Sequence, residues 1–283
     1  MKNNIVVGTD FSENSINALK HATSIADKAK CDITLLWVET PGTTLGLMAE
    51  NITDYRIIAE KRLTEIAIDH KNLMPQGNKI ITKIRQGRPY IELAKEAKEC
   101  DAVMVVVGSH GVSGYDESFI GNTAFRTVMS AKCPVLTIQH FVNITRALTD
   151  IVLLVDSTIN TLQKVPFAIK IARLFSAKIH ILGLYTSSAL SVQHLVDANV
   201  GIAEKVIREA NVRYSTTVRE SFNMANTTIK FTKDIDANLI VIMSEQDDDF
   251  GVWLGNSSRE MINKSTIPVL CIHPNDKAYD LSR

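Results

Sequence analysis

Gly108, Gly111 and Gly121 follow an apolar run, two residues separating the first pair and nine the second, and Asn122 and Thr123 come directly after. Glycine lets backbone N–H groups approach an oxyanion closely, because no Cβ stands in the way. A helix that opens at Asn122 adds unpaired N–H groups and a favourable dipole. The chemistry this spacing suits is the cradling of a phosphate, with His110 beside it and Thr123 as a side-chain donor. A capped strand-to-helix turn fits the same spacing, since glycines after strands are common and Asn is a good cap. A second polar spot, Thr9 and Asp10, closes the apolar run Ile5 to Val7.

The elements that must position these residues read clearly. Val103 to Val107 is apolar without alternation and rich in β-branched residues, as a strand covered on both faces is. Ile5 to Val7 is a shorter strand of the same kind, and Ser12 caps a helix with the stripe Ile16, Leu19, Ala22, Ile25, Ala26 and Ala29. Ile33 to Val38 is the second strand, which completes a βαβ unit with a right-handed crossover. Asn51 to His70 reads as a charged amphipathic helix with its apolar face through Ile57, Ile58, Leu63 and Ile66, broken at Pro75 and Gly77. A strand over Ile80 to Ile84, a turn at Gly87 to Pro89 and a helix over Ile91 to Glu99 complete the set. Such alternation implies an open parallel sheet with helices on both faces, and ligands bind such sheets at the carboxyl ends of the strands, where Asp10 stands.

The same order begins again past His140, with Ile151 to Val155 as a new first strand. Asp156 follows Asp10 by 146 residues, Asp236 follows Asp101 by 135, and Pro268 follows Pro134 by 134. The shrinking offset places a deletion of about eleven residues between the second and fourth strands of the second half, where the first half has a loop and its charged helix. The 283 residues therefore form a tandem duplication, with domains over 1–140 and 150–274.

The strand ending in Thr9 and Asp10, the helix near Ser12 and the intervals of Gly108, Gly111 and Gly121 resemble the ATP-binding branch of the universal stress protein family. That family's signature ends in Gly followed by Ser or Thr. Here Asn122 holds the last position and Thr123 comes one residue late. The resemblance covers both halves. It implies two tandem Rossmann-like domains of the adenine nucleotide alpha hydrolase-like type, and ATP, ADP or AMP as ligand with Mg²⁺. The residues it implicates are Thr9, Asp10, Val38, Gly108, His110, Gly111, Gly121, Asn122 and Thr123. In it Asp10 would hydrogen-bond ribose or adenine, and Val38 would offer backbone groups to the base; Asp10 as a helix cap and Val38 as plain core are the structural alternatives. Val112 to Ile120 holds Asp116 and Glu117 but no Lys or Arg, so phosphate binding would lean on N–H groups and the metal.

The second half departs from this pattern at the site. Met243 and Gln246 replace Gly108 and Gly111, Phe222 and Met224 replace Gly87 and Pro89, and Glu245 with Asp247 to Asp249 adds charge that repels phosphate. The Asp run reads as a solvated loop, with a divalent-cation site as the other reading. Asp156 is retained, while Gly255, Asn256 and Ser257 keep helix-start chemistry.

Composition narrows the rest. Thirty-one basic residues balance 31 acidic ones, which disfavours nucleic acid and anionic membrane partners. No apolar run reaches membrane-spanning length, and the start of the chain shows no signal-peptide core. Cys31, Cys100, Cys133 and Cys271 form no C-x-x-C pair, as expected of reduced thiols in the cytoplasm. There is no P-loop, dinucleotide fingerprint, nucleophile elbow or paired-histidine motif, so catalysis has little support. Three functions remain: a nucleotide-binding regulatory protein with an unidentified downstream partner, a scaffold that binds no nucleotide, and a slow ATPase. The apolar strands after Pro134 and Pro268 would each form a sheet edge, and by resemblance to family dimers they would pair antiparallel within one chain. Association of two whole chains stays open.

Overall fold

The computed structural model describes residues 3–40, 52–74, 76–109, 122–139, 148–158, 160–247 and 251–274. His110, Gly111, Gly121, Asp116, Glu117, Asp248 and Asp249 lie outside them. The chain divides into two compact units between residues 140 and 141.

The first unit runs β1 (Asn4–Thr9), α1 (Glu13–Ala29), β2 (Asp32–Glu39), α2 (Ile52–Lys71), β3 (Ile80–Gln86), α3 (Pro89–Glu99), β4 (Met104–Gly108), α4 (Asn122–Ser130) and β5 (Val135–Ile138). Its sheet has the order β3-β2-β1-β4-β5 and its strands pair in parallel. Ile5, Val6, Val7, Val105 and Val106 are fully buried, as their unbroken apolar runs require. Ser12 caps α1 by accepting the Ser15 N–H, and Ala18, Leu19, Ala22, Ile25 and Ala26 form its buried face. Pro89 opens α3 two residues before the expected start, its fixed φ suiting the first helical position.

The face of α2 differs from expectation. Ile57 and Ile58 are 57% and 61% exposed, whereas Ala59, Leu63 and His70 are buried. The helix packs on β2 and on β3 at the sheet edge, where a narrow stripe suffices. A network absent from the sequence reading binds α3 to β3. The Glu96 carboxylate, fully buried, accepts from Lys83 Nζ at 2.7 Å and from Arg85, which also pairs with Glu99 and Glu92.

The second unit runs β6 (Asp150–Val155), a 3₁₀ turn (Thr161–Lys164), α5 (Val165–Phe175), β7 (Lys178–Tyr185), α6 (Leu190–Glu209), β8 (Tyr214–Glu220), α7 (Met224–Asp234), β9 (Leu239–Met243), β10 (Glu245–Asp247), β11 (Gly251–Trp253), α8 (Asn256–Lys264) and β12 (Val269–Ile272). Its parallel sheet repeats the order as β8-β7-β6-β9-β12. Backbone detail repeats as well: Lys30 and Ser176 are left-handed at φ 54°, and Asp101 and Asp236 at 49° and 53°. The shortening of the second half falls in loops rather than in the helix, because α2 and α6 both have 20 residues. Twelve residues separate β2 from α2 but four separate β7 from α6; eight and four follow the helices. The start of the acidic stretch is not a loop. Glu245 to Asp247 pair antiparallel with Gly251 to Trp253 in a hairpin.

Candidate functional site

In the first unit the chain moves outward from β1 to β2 and β3 on one side, and to β4 and β5 on the other. That reversal opens a crevice beyond the carboxyl ends of β1 and β4, which are hydrogen-bonded neighbours. Thr9 and Asp10 leave β1 there, and Gly108 ends β4. The fold thus brings Thr9, Asp10 and Gly108 together, with α4 opening at Asn122 as the chain returns from β4.

Local bonding fixes the β1–α1 turn. Asp10 Oδ1 accepts from the Ser12 N–H at 3.0 Å and from the Ser12 hydroxyl, an Asx-type turn that fixes the carboxylate at the start of α1. Thr9 Oγ1 lies 3.0 Å from Ser15 Oγ and accepts from the Phe11 N–H at 3.1 Å, so its hydroxyl serves the turn. Val38 is buried and paired with Arg85 on β3, one residue beyond the last β1 register pair, Thr9 with Trp37. Thr123 is exposed in the first turn of α4. Gly108 meets a different demand from the one its spacing suggests: an added Cβ would lie 2.8 Å from Asn14 Nδ2 and 3.3 Å from the Asn14 backbone. The close approach there is by α1.

Three residues beside the β1–α1 turn escaped the sequence reading. Phe11 adopts φ 66° and stacks on Trp37 with ring centroids 5.9 Å apart. The Arg62 guanidinium lies 5.1 Å from the Phe11 centroid. These residues come from three elements, and their spacing in the chain carries no signal.

In the second unit Asp156 occupies the matching turn and accepts from the Thr158 N–H at 2.8 Å and from its hydroxyl. Here, however, Lys164 lies wholly inside, with Nζ donating to Thr161 O at 2.7 Å and Oγ1 at 2.9 Å. Burial lowers its pKa to about 8, against the opposing fields of Asp156 and Cys271. The repeat offset of 146 pairs this lysine with Ala18 in the buried face of α1, and that mismatch was the available signal. Met243 ends β9 where Gly108 ends β4, and the β10–β11 hairpin follows where the first-half sequence carries Gly111 and Gly121.

The remaining titratable clusters are structural. Cys31, Cys133 and Cys271 are buried and their thiol pKa values are pushed up to about 11, 12 and 12, chiefly by desolvation. Among the described residues no group of three His, Cys, Asp or Glu side chains is placed to hold a metal. Asp150, His180 and Ser215 form a hydrogen-bonded chain, with His180 Nε2 2.7 Å from Asp150 and Nδ1 2.9 Å from Ser215. It sits at the amino ends of the strands, away from the crevice. The matched pair Asn4 and Thr34 makes the same cross-strand tie at 2.7 Å in the first unit. No helix among the described residues is long and apolar enough to cross a membrane.

The fold and sequence have known counterparts. A universal stress protein from Archaeoglobus fulgidus superposes over 97% of both chains with a TM-score of 0.77 at 19% identity, a likeness of fold. Universal stress protein MJ0531 of Methanocaldococcus jannaschii is 31% identical over 139 residues, 48% of this chain and 81% of its own. Universal stress protein YxiE of Bacillus subtilis is 26% identical over 154 residues, 49% of this chain and 100% of its own. The family model of universal stress proteins matches residues 1–139 and again 148–273, and the chain therefore belongs to the universal stress protein family, as a tandem member.

Proposed function

We propose that the first unit binds an adenine nucleotide, ATP or its di- or monophosphate, together with Mg²⁺, and that the second unit binds none. The observation that carries this reading is a contrast between two crevices of one topology. In the first, Asp10 stands at the switch point, Gly108 ends the neighbouring β4, and α4 opens at Asn122. In the second, a buried Lys164 lies in the field of Asp156, Met243 takes the place of Gly108, and a hairpin follows it. His110, Gly111, Gly121, Asn122 and Thr123 are the proposed phosphate ligands, and Val38 faces the base.

On this reading the protein is a cytoplasmic regulator whose nucleotide state is read by a partner, and the second unit is a structural or regulatory companion. We also propose, from their apolar edge sequences, that β5 and β12 cover one another. The test of binding is simple: protein purified without added nucleotide is denatured and the filtrate examined for adenine absorbance, then the emptied protein is titrated with ATP and Mg²⁺. Release or uptake of adenine nucleotide supports the reading; neither would leave a scaffold.

A further inference from the structure

Phe11 is held in a conformation that bulky side chains rarely adopt, φ 66°, in the turn directly after Asp10. Such a conformer persists only where its surroundings enforce it, and here two groups do. Trp37, next to last but one in β2, stacks on the ring at an interplanar angle of 24°. Arg62, from the middle of α2, lays its guanidinium over the same ring and donates from Nη2 to the Phe11 carbonyl at 3.4 Å. Arg62 is exposed, and among the described residues it has no carboxylate within ion-pair distance. Its guanidinium is thus oriented by the Phe11 ring while the residue stays exposed.

The second unit lacks all three members together. At the repeat offsets Phe11 becomes Ser157, Trp37 becomes Gly183 and Arg62 becomes Val200. Val200 fills the space instead, since a Cβ on Gly183 would lie 2.8 Å from its Cγ2. The scaffold therefore folds without the column. Position adds the rest: β1 is flanked by β2 on one side and by β4 on the other, so Trp37 near the end of β2 and Gly108 at the end of β4 lie on opposite sides of β1. A mononucleotide lying across Asp10 with its phosphates toward α4 brings its base to this column.

We propose that Phe11, Trp37 and Arg62 form the nucleobase platform of the first unit, with a purine stacked on the exposed Arg62 guanidinium. This rests on the nucleotide reading above and assigns its base-side specificity. Bases stack on arginine planes as well as on aromatic rings, and a lysine, being a point charge, offers no such plane.

The test uses the full chain freed of nucleotide, as wild type, Arg62→Ala and Arg62→Lys, titrated with ATP, adenosine and inorganic tripolyphosphate. Arg62→Ala should weaken ATP and adenosine by about tenfold, Arg62→Lys should not rescue them, and tripolyphosphate should be unaffected. In a Trp253→Phe background adenosine should change the emission of Trp37. Because Arg62 is exposed, native circular dichroism is expected for both variants. Unchanged adenosine binding in Arg62→Ala, or an equal loss for tripolyphosphate, would overturn the platform while leaving nucleotide binding intact. A wild type that binds neither ATP nor adenosine would overturn the nucleotide reading, and the platform with it.

Discussion

The Cβ that Gly108 lacks would lie 2.8 Å from Asn14 Nδ2, so the first residue of the expected phosphate cradle is held to glycine by α1. Gly108→Ala should accordingly destabilise the first unit by about 1–3 kcal/mol through overpacking. Combining it with Asn14→Ala should give less than the sum of the two single losses, since the clash is removed. Urea denaturation of the four proteins measures this; strict additivity would mean that the clash relaxes freely.

Lys164 should reveal itself through pH. Its folded pKa of about 8 lies below the ordinary lysine value of 10.5. Between those values the unfolded chain binds more protons, so stability rises with pH across the window, by at most roughly 3 kcal/mol. Below about pH 8 the lysine is protonated in both states and this contribution is absent. Lys164→Met should abolish the rise, which is read as the difference between the two proteins in denaturant titrations at pH 7 and pH 10. Parallel curves would contradict the assignment.

The strands and most helices were legible because buried parallel strands must be apolar on both faces, as in Val103 to Val107 and Ile151 to Val155. The duplication was legible for the same reason. The inward face of α2 was not, because Ile57 and Ile58 are as apolar as Leu63 and only packing decides which side meets the sheet. The positions of Asp10 and Gly108 at the ends of β1 and β4 were legible from the apolar runs before them. Phe11, Trp37 and Arg62 were missed because three separate elements bring them together, and because nothing about a phenylalanine announces a left-handed backbone. Lys164 reads in isolation as an ordinary helix-start lysine; its burial shows only in the fold, where Thr161 takes up its ammonium.

The Glu96 network supplies a stability test. Glu96→Ala leaves Lys83 and Arg85 without their shared buried carboxylate, and breaking such a group from one side typically costs about 3 kcal/mol. In the second unit Phe231 holds the matching place and Arg219 lies over its ring at 5.3 Å. Thermal melting should drop by several degrees; an unchanged melt would show that solvent replaces the carboxylate without loss.

The proposed mutual cover of β5 and β12 is tested at Leu136 and Leu270. Replacing either with Lys should loosen the chain and promote aggregation, because an apolar sheet edge left open is a template for unwanted pairing. A double variant with unchanged melting and monodispersity would sink this part of the account.

The central claim is asymmetry, one nucleotide per chain held by the first unit, and calorimetric titration of the nucleotide-free chain with ATP and Mg²⁺ tests it most directly. The stoichiometry should be near one, Asp10→Ala should remove most of the heat, and Asp156→Ala should leave the isotherm almost unchanged. Two equivalent sites, or a signal lost with Asp156→Ala and kept with Asp10→Ala, would contradict it.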